Sequence, residues 1–452
     1  MTKPVAQRIS AGPAAAILLA AIFFFWGRTP APAGHAVDEV RTAHKRTLEN
    51  GMTLISERDE TTATTAIQIL IRGGKRAQPA GQESLAFLAT RLAVEIPDEN
   101  KIQDLIGMAS RFQVTVDGDY SLIQLECLSG QLEATLKILA KIVSAPLFSG
   151  LRIDSIKTHA EHQGRIEEDD SVSLGHLAAL RAFSGTPGYG GSVYGDQKAL
   201  AGIRGKDISD FYKRYFVGPN MVLAVSSDRQ DAEAAVESAL GGFPAVPAAS
   251  PERAALRVPG EREISLTKET KQAYVSEAFL LPQVTPRNFA LGLLLENILG
   301  KGPGSRLWPL RAERKLAYNV NAVATQMTDG GIIEAYLETD KNKKREALET
   351  LRGVLSEVYQ SGVTGEDLRA ARISVWADFL RDNEARPART RNLAVFEALG
   401  LGLDFYYGLR TELEAVPLEE MNAFTKSVLA PENSVTVVIG PKTETLEGQS
   451  SS

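Results

Sequence analysis

The sequence predicts an α+β fold made twice: two homologous domains, each a mostly antiparallel sheet with helices packed on one face. Three observations predict it. Short β-prone runs bounded by turn residues alternate irregularly with helical runs, without long βαβ repetition, and two pairs of them form hairpins. A Pro/Ala-rich stretch from Phe243 to Pro251 divides the chain nearly in half once the N-terminal segment is set aside. The end of the first half also recurs at the end of the second: Phe211 and Phe424, Asn220 and Asn433, Val222 and Val435, and Val225 and Val438 are each 213 residues apart.

At the N-terminus, Lys3 and Arg8 precede an apolar run from Ala11 to Trp26, and small residues follow at Ala31-Pro32-Ala33 and Gly34-His35-Ala36. Residues 1–36 are therefore read as a signal peptide or N-terminal membrane anchor, and the protein as exported. The run is shorter than the ~20 residues of a comfortable membrane span, and cleavage or retention stays open. In a Gram-negative host the destination is the periplasm.

The first domain is assigned to residues 37–235. Asn50-Gly51 marks a hairpin turn. Strand Ile67–Ile71 and the turn Gly73-Gly74 lead into a helix over 81–95, with a buried face from Leu85 onward. Phe112, Val114 and Val116 alternate, and Asp117-Gly118-Asp119 turns the chain into strand Tyr120–Leu128. Leu132, Leu136, Leu139 and Val143 recur at helical spacing until Pro146. Residues 151–168 form a polar helix, Gly185–Gly195 a loop, Ile208–Phe216 an amphipathic helix and Met221–Ser226 a buried strand.

A linker over 236–260 joins the second domain, 261–445, which ends in a disordered tail, 446–452. Its expected elements are strand Ala273–Leu281, helix Asn288–Leu299, loop Gly300–Ser305, a helix to Lys315, and strands Tyr318–Gln326 and Gly331–Leu337. Helices follow from about Lys344, Gly365, Arg391 and Pro417.

Composition narrows the function. A net charge of −6 gives no electrostatic reason to expect nucleic acid. One cysteine, Cys127, excludes an internal disulfide and a Cys-rich zinc site, and is read as a small core residue. The five histidines, His35, His44, His159, His162 and His176, compose neither His-x-x-Glu-His nor His-Glu-x-x-His. His159 and His162 share a helix face and, with Glu161 or His176, offer a remote metal-site reading; a solvated polar face is the main one. Gly300, Gly302 and Gly304 lack the spacing of a phosphate loop. Arg386, Arg389 and Arg391 beside Pro387 read as a solvated helix start, with a path for acidic peptides as the lesser alternative.

Several places resemble the pitrilysin/insulinase-type zinc peptidases, the M16 clan, over nearly all the chain beyond the N-terminal segment. The run Gly81-Gln82-Glu83-Ser84-Leu85-Ala86-Phe87-Leu88-Ala89-Thr90-Arg91-Leu92 follows the first strand and turn. There the clan carries Gly-Leu-Ala-His-x-x-Glu-His, in which two histidines hold Zn²⁺ and the glutamate is the general base. Leu85-Ala86 match, but Phe87 and Arg91 stand at the histidines and Thr90 at the glutamate. A third zinc-ligand glutamate precedes an Asp-Asp pair by six residues; before Asp169-Asp170 that place holds Gln163. The third place, Gly300-Lys301-Gly302-Pro303-Gly304-Ser305, then Leu310-Arg311 and Leu316-Ala317-Tyr318, resembles the clan's glycine-rich turn with its Leu-Arg and Leu-x-Tyr elements.

The resemblance implies one half of a clamshell chamber without zinc of its own. A homologous subunit would carry the zinc, its ligands and the base. Arg311 and Tyr318 would reach that subunit's active site, Gly302, Gly304 and Ser305 would contact peptide substrate, and Phe87, Thr90, Arg91 and Gln163 would mark the degenerate metal site. The alternative is a non-enzymatic scaffold or peptide-binding protein of the same fold.

Overall fold

The computed structural model describes residues 42–96, 98–185, 188–249, 256–260 and 262–442. The segment read as a signal peptide or anchor, part of the expected linker and the expected tail lie outside the described residues. No helix among the described residues is long and apolar enough to cross a membrane.

The first half runs β1 (His44–Thr47), β2 (Thr53–Arg58), β3 (Thr64–Ile71), α1 (Leu85–Ala93), α2 (Glu99–Gly107), β4 (Arg111–Val116), β5 (Ser121–Leu128), α3 (Leu132–Ser144), α4 (Gly150–Asp169), α5 (Ser171–Ser184), α6 (Gln197–Gly202), α7 (Gly205–Tyr215), β6 (Met221–Ser227) and α8 (Ala232–Leu240). The second runs β7 (Glu263–Thr267), β8 (Gln272–Leu281), α9 (Pro286–Gly300), α10 (Trp308–Ala312), β9 (Asn319–Met327), β10 (Gly330–Asp340), α11 (Lys344–Ser361), α12 (Gly365–Asp382), α13 (Arg386–Ala398), α14 (Gly402–Glu414), α15 (Leu418–Val428) and β11 (Ser434–Gly440).

The sheets are ordered β1-β2-β6-β3-β5-β4 and β7-β11-β8-β10-β9. Apart from the extra β1 they are the same sheet, with β2–β6 and β7–β11 parallel and the other neighbours antiparallel. The repeat read from the sequence is structural: adding 213 to the bounds of α7 and β6 gives those of α15 and β11.

Each half's own helices cover one face of its sheet, burying Leu88, Leu92 and Leu139 on Ile69 and Ile123 in the first half. The opposite faces are covered by an exchange. Helix α5 of the first half packs on β8 and β11 of the second, and α13 of the second half packs on β3 and β6 of the first. Alternation makes both faces apolar: Tyr274 and Ala278 face α5, whereas Val275 and Phe279 face the second half's own core. Gly175 of α5 admits Tyr274; a Cβ there would lie 2.2 Å from the ring.

Three local expectations are corrected. The helix expected from Arg391 begins at Arg386, because Pro387 occupies its first turn, where the missing N–H costs no helical bond. The helix expected to reach Lys315 ends at Ala312. Helix α8 runs to Leu240, so the extended connection begins only after it. Helices α2, α5, α6, α8 and α14 were not read from the sequence.

Candidate functional site

The degenerate metal site lies between α1 and α4. Phe87 is buried, its ring 6.2 Å from the His159 ring of α4 in a stacked arrangement and 5.2 Å from Tyr194 edge-on. Thr90 is fully buried and donates its hydroxyl to the Ala86 carbonyl at 2.7 Å, as β-branched hydroxyls commonly do within helices. Arg91 pairs with Glu95 one turn along, at 2.6 Å. Gln163, half-buried, sits one turn beyond His159 on α4. The fold thus brings Phe87, Arg91 and His159 together, with Gln163 on the next turn.

This donor set does not fit Zn²⁺. A phenyl ring has no lone pair, the Thr90 hydroxyl is committed to a backbone carbonyl, and Arg91 adds positive charge. Burial, then the charges of Arg91 and His162, push the His159 pKa down. The corner therefore resists a cation even at its remaining imidazole. His159 and His162 are both exposed, as expected for a solvated polar face, and the His159 ring also stacks against Phe87. His176 bonds Glu334 at 2.9 Å and Thr325 at 3.2 Å. It is not brought to the other two histidines. Among the described residues no group of three or more His, Cys, Asp or Glu is placed to hold a metal ion. Cys127 is core, and burial pushes its thiol up to about 11.

Ser84, which precedes α1, was missed in the sequence. It has φ +85° and a buried hydroxyl without a hydrogen-bond partner among the described residues. It occupies the glycine of the clan's Gly-Leu-Ala-His run, so the mismatch was legible. A left-handed non-glycine residue costs about 1–2 kcal/mol, and the orphaned hydroxyl adds to it. Ser84→Gly is expected to raise stability by about 1 kcal/mol after glycine's own entropy cost. Urea unfolding checks this; an unchanged or lower midpoint contradicts it.

The second candidate site is on the second half. Arg311 and Tyr318 line one open pocket of about 420 Å³ with Lys315, Leu316, Ala317, Asp340 and Lys343. The Arg311 guanidinium lies 5.4 Å from the centre of the Trp308 ring, and no carboxylate among the described residues pairs with it. Tyr318 is 60% exposed, held by its backbone N–H to the Glu338 carbonyl at 2.8 Å. Neither residue packs as core. Gly302 and Gly304 have φ +74° and +94°, conformations that demand glycine, and their Cα atoms face open space. Ser305 is buried and donates to the Gly302 carbonyl at 2.8 Å, so its hydroxyl clasps the turn. Backbone amides of Arg306 and Leu307 bond the Ile298 and Leu299 carbonyls, folding the turn back on α9.

The expectation for Arg386 and Arg389 is overturned. Both are 5% exposed and cross to the first half. Arg389 bonds Glu57 at 2.9 Å and also pairs with Asp59, while Arg386 reaches the Thr64 and Asp59 carbonyls. Burial alone would lower the Arg389 pKa; the charges of Glu57 and Asp59 outweigh it, and the shift is upward.

A doubled α+β half with these four side chains at the corner between α1 and α4 defines a class: a two-domain, insulinase-type peptidase fold, here with no group of three or more metal-ligating side chains among the described residues. Residues 53–189 match the model of insulinase (peptidase family M16), and residues 203–375 match that of the peptidase M16 inactive domain. The chain belongs to peptidase family M16. It is 20% identical to the uncharacterized zinc protease YmxG of Bacillus subtilis, over 87% of this chain and 97% of that protein. It is 22% identical to the non-peptidase homolog YmxG of Helicobacter pylori, over 80% and 85%. A crystal structure of a peptidase M16 inactive domain from Pseudomonas fluorescens superposes with a TM-score of 0.81 at 21% identity, over 89% of this chain and 98% of that one.

Proposed function

We propose that this chain is the exported, non-catalytic, zinc-less subunit of a two-subunit M16 metallopeptidase, located in a Gram-negative host in the periplasm or on the periplasmic side of the inner membrane. A homologous zinc-bearing subunit supplies the metal, its ligands and the general base. This chain supplies half of the chamber wall and the Arg311/Tyr318 pair.

One observation carries the reading. Phe87 offers no donor atom, Thr90 is bonded to a backbone carbonyl, Arg91 is paired with Glu95 and a neutral amide, Gln163, stands where a carboxylate is expected, while Arg311 and Tyr318 remain exposed around one pocket, without ion-pair partners among the described residues. Peptide hydrolysis builds negative charge on the carbonyl oxygen, and a guanidinium with a phenolic O–H can stabilise it in a cleft that excludes water. The substrates are peptides or small unfolded proteins that fit a closed chamber. Supporting evidence for the alternative, a non-enzymatic peptide-binding protein, is the relative described as a non-peptidase homolog.

The test is hydrolysis of a quenched fluorescent peptide by this chain, by the zinc-bearing homologue of the same source, and by their equimolar mixture. Activity that requires the mixture supports the proposal. Full activity of the homologue alone overturns it.

A further inference from the structure

The protein is acidic overall, with net charge −6, yet the Arg311/Tyr318 pocket is basic. Three cations, Arg311, Lys315 and Lys343, line it against one acid, Asp340. None of the three has a carboxylate partner among the described residues. Asp340 forms no ion pair with any of them and offsets at most one of the three charges; its carboxylate caps the following turn by accepting the Asn342 N–H at 2.8 Å.

The backbone at Lys315 is the second observation. It has φ +49°, a left-handed conformation that a long side chain adopts at a cost of about 1–2 kcal/mol. Neighbouring bonds hold it there: the Leu316 N–H donates to the Leu310 carbonyl at 2.9 Å, and the Leu316 carbonyl accepts the buried Thr339 hydroxyl at 2.6 Å. This connection sets Lys315 beside Arg311 and across from Lys343, which belongs to the turn after β10. Uncompensated cations around a concave, partly apolar pocket are a receptor for an anion, and a carboxylate is the anion that a peptide brings.

We propose that Lys315 and Lys343 form a carboxylate subsite that selects peptides presenting a negative charge next to the Arg311/Tyr318 pair. The subsite rests on the reading of that pair as peptide-facing. The carboxylate comes from a free C-terminus or from an aspartate or glutamate side chain.

The experiment uses the full chain and fluorescence anisotropy with three fluorescein-labelled nonapeptides. One is uncharged with a free C-terminal carboxylate, one is its C-terminal amide, and one is the amide carrying a single internal glutamate. A carboxylate-bearing peptide is expected to bind about 10-fold more tightly than the neutral amide. The preference is expected to shrink as salt rises from 0.05 to 0.5 M, by screening, and to vanish in K315Q/K343Q. Both lysines sit on the surface, so the double variant should fold; K315G, free of the left-handed strain, provides a check with the same charge loss at one position. Preference for the free acid alone assigns the subsite to a peptide C-terminus; equal gain from the internal glutamate assigns it to side chains.

Equal binding of all three peptides, or a preference that survives K315Q/K343Q, overturns the subsite. Failure of the two-subunit reading looks different: the carboxylate preference persists on this chain while the zinc-bearing homologue is fully active without it.

Discussion

Arg311→Ala is expected to lower kcat of the two-subunit assembly by about 10²–10³-fold, the usual loss for one preorganised donor to a developing oxyanion. The assembly should remain intact. Arg311 is exposed, has no ion-pair partner among the described residues, and lies 5.4 Å from the Trp308 ring centre, a contact worth about 0.5–1 kcal/mol at an exposed site. Its loss is too small to unfold the domain or open an interface. The effect should therefore fall on kcat more than on KM, because the guanidinium acts on charge that exists in the transition state. Tyr318→Phe keeps the ring and removes the O–H, so it should also depress kcat, by less. Steady-state kinetics with a neutral peptide, alongside the assembly mass, separates the outcomes. Unchanged kcat in both variants removes the assigned role.

Arg389→Ala should cost about 3–5 kcal/mol of stability, the penalty for stripping one partner from a buried ion network. Glu57 and Asp59 are each 4% exposed and both pair with this guanidinium; Asp59 keeps a longer contact with Arg386, at 3.6 Å. The Ser226 hydroxyl, which donates to Glu57 at 2.9 Å, cannot replace a charge. Arg389 also donates to the Asn383 carbonyl at 3.0 Å, so the end of α12 loosens with it. The control is Arg410→Ala, whose exposed pair with Glu414 should contribute only about 0.3–0.5 kcal/mol. Urea unfolding should show a large midpoint shift for the first variant and almost none for the second. Equal, small shifts would mean that the network does not join the halves energetically. Arg76, which bridges Asp119 of the first half and Asp329 of the second, gives the exchange of helices a further polar tie.

What was legible in the sequence is local or periodic. The matching ends of the two halves stood out because Phe211 and Phe424, and Val222 and Val435, are held in place by the same core packing. The exchanged helices were hidden. Nothing on α5 or α13 says which sheet they cover, and Arg386 and Arg389 look solvated until Glu57 and Asp59, more than 320 residues away, are brought to them. Composition marks charge but not its partner. The metal corner was legible as four substituted positions, whereas the Phe87–His159 stack that fills it was not, since ring contacts between helices leave no pattern along the chain. Arg311 and Tyr318 were legible through the resemblance of their Leu-Arg and Leu-x-Tyr elements to the clan's; that Lys343 joins them depends on the β10 turn and emerges only in three dimensions.

The proposed sharing of an active site is tested most directly by native mass spectrometry of the protein purified gently from its source, reading assembly mass and metal together. The account predicts a mixed assembly with a second subunit of similar size and one zinc ion that stays with that subunit on dissociation. A homodimer or monomer, with the zinc-bearing homologue recovered separately and active alone, would contradict it.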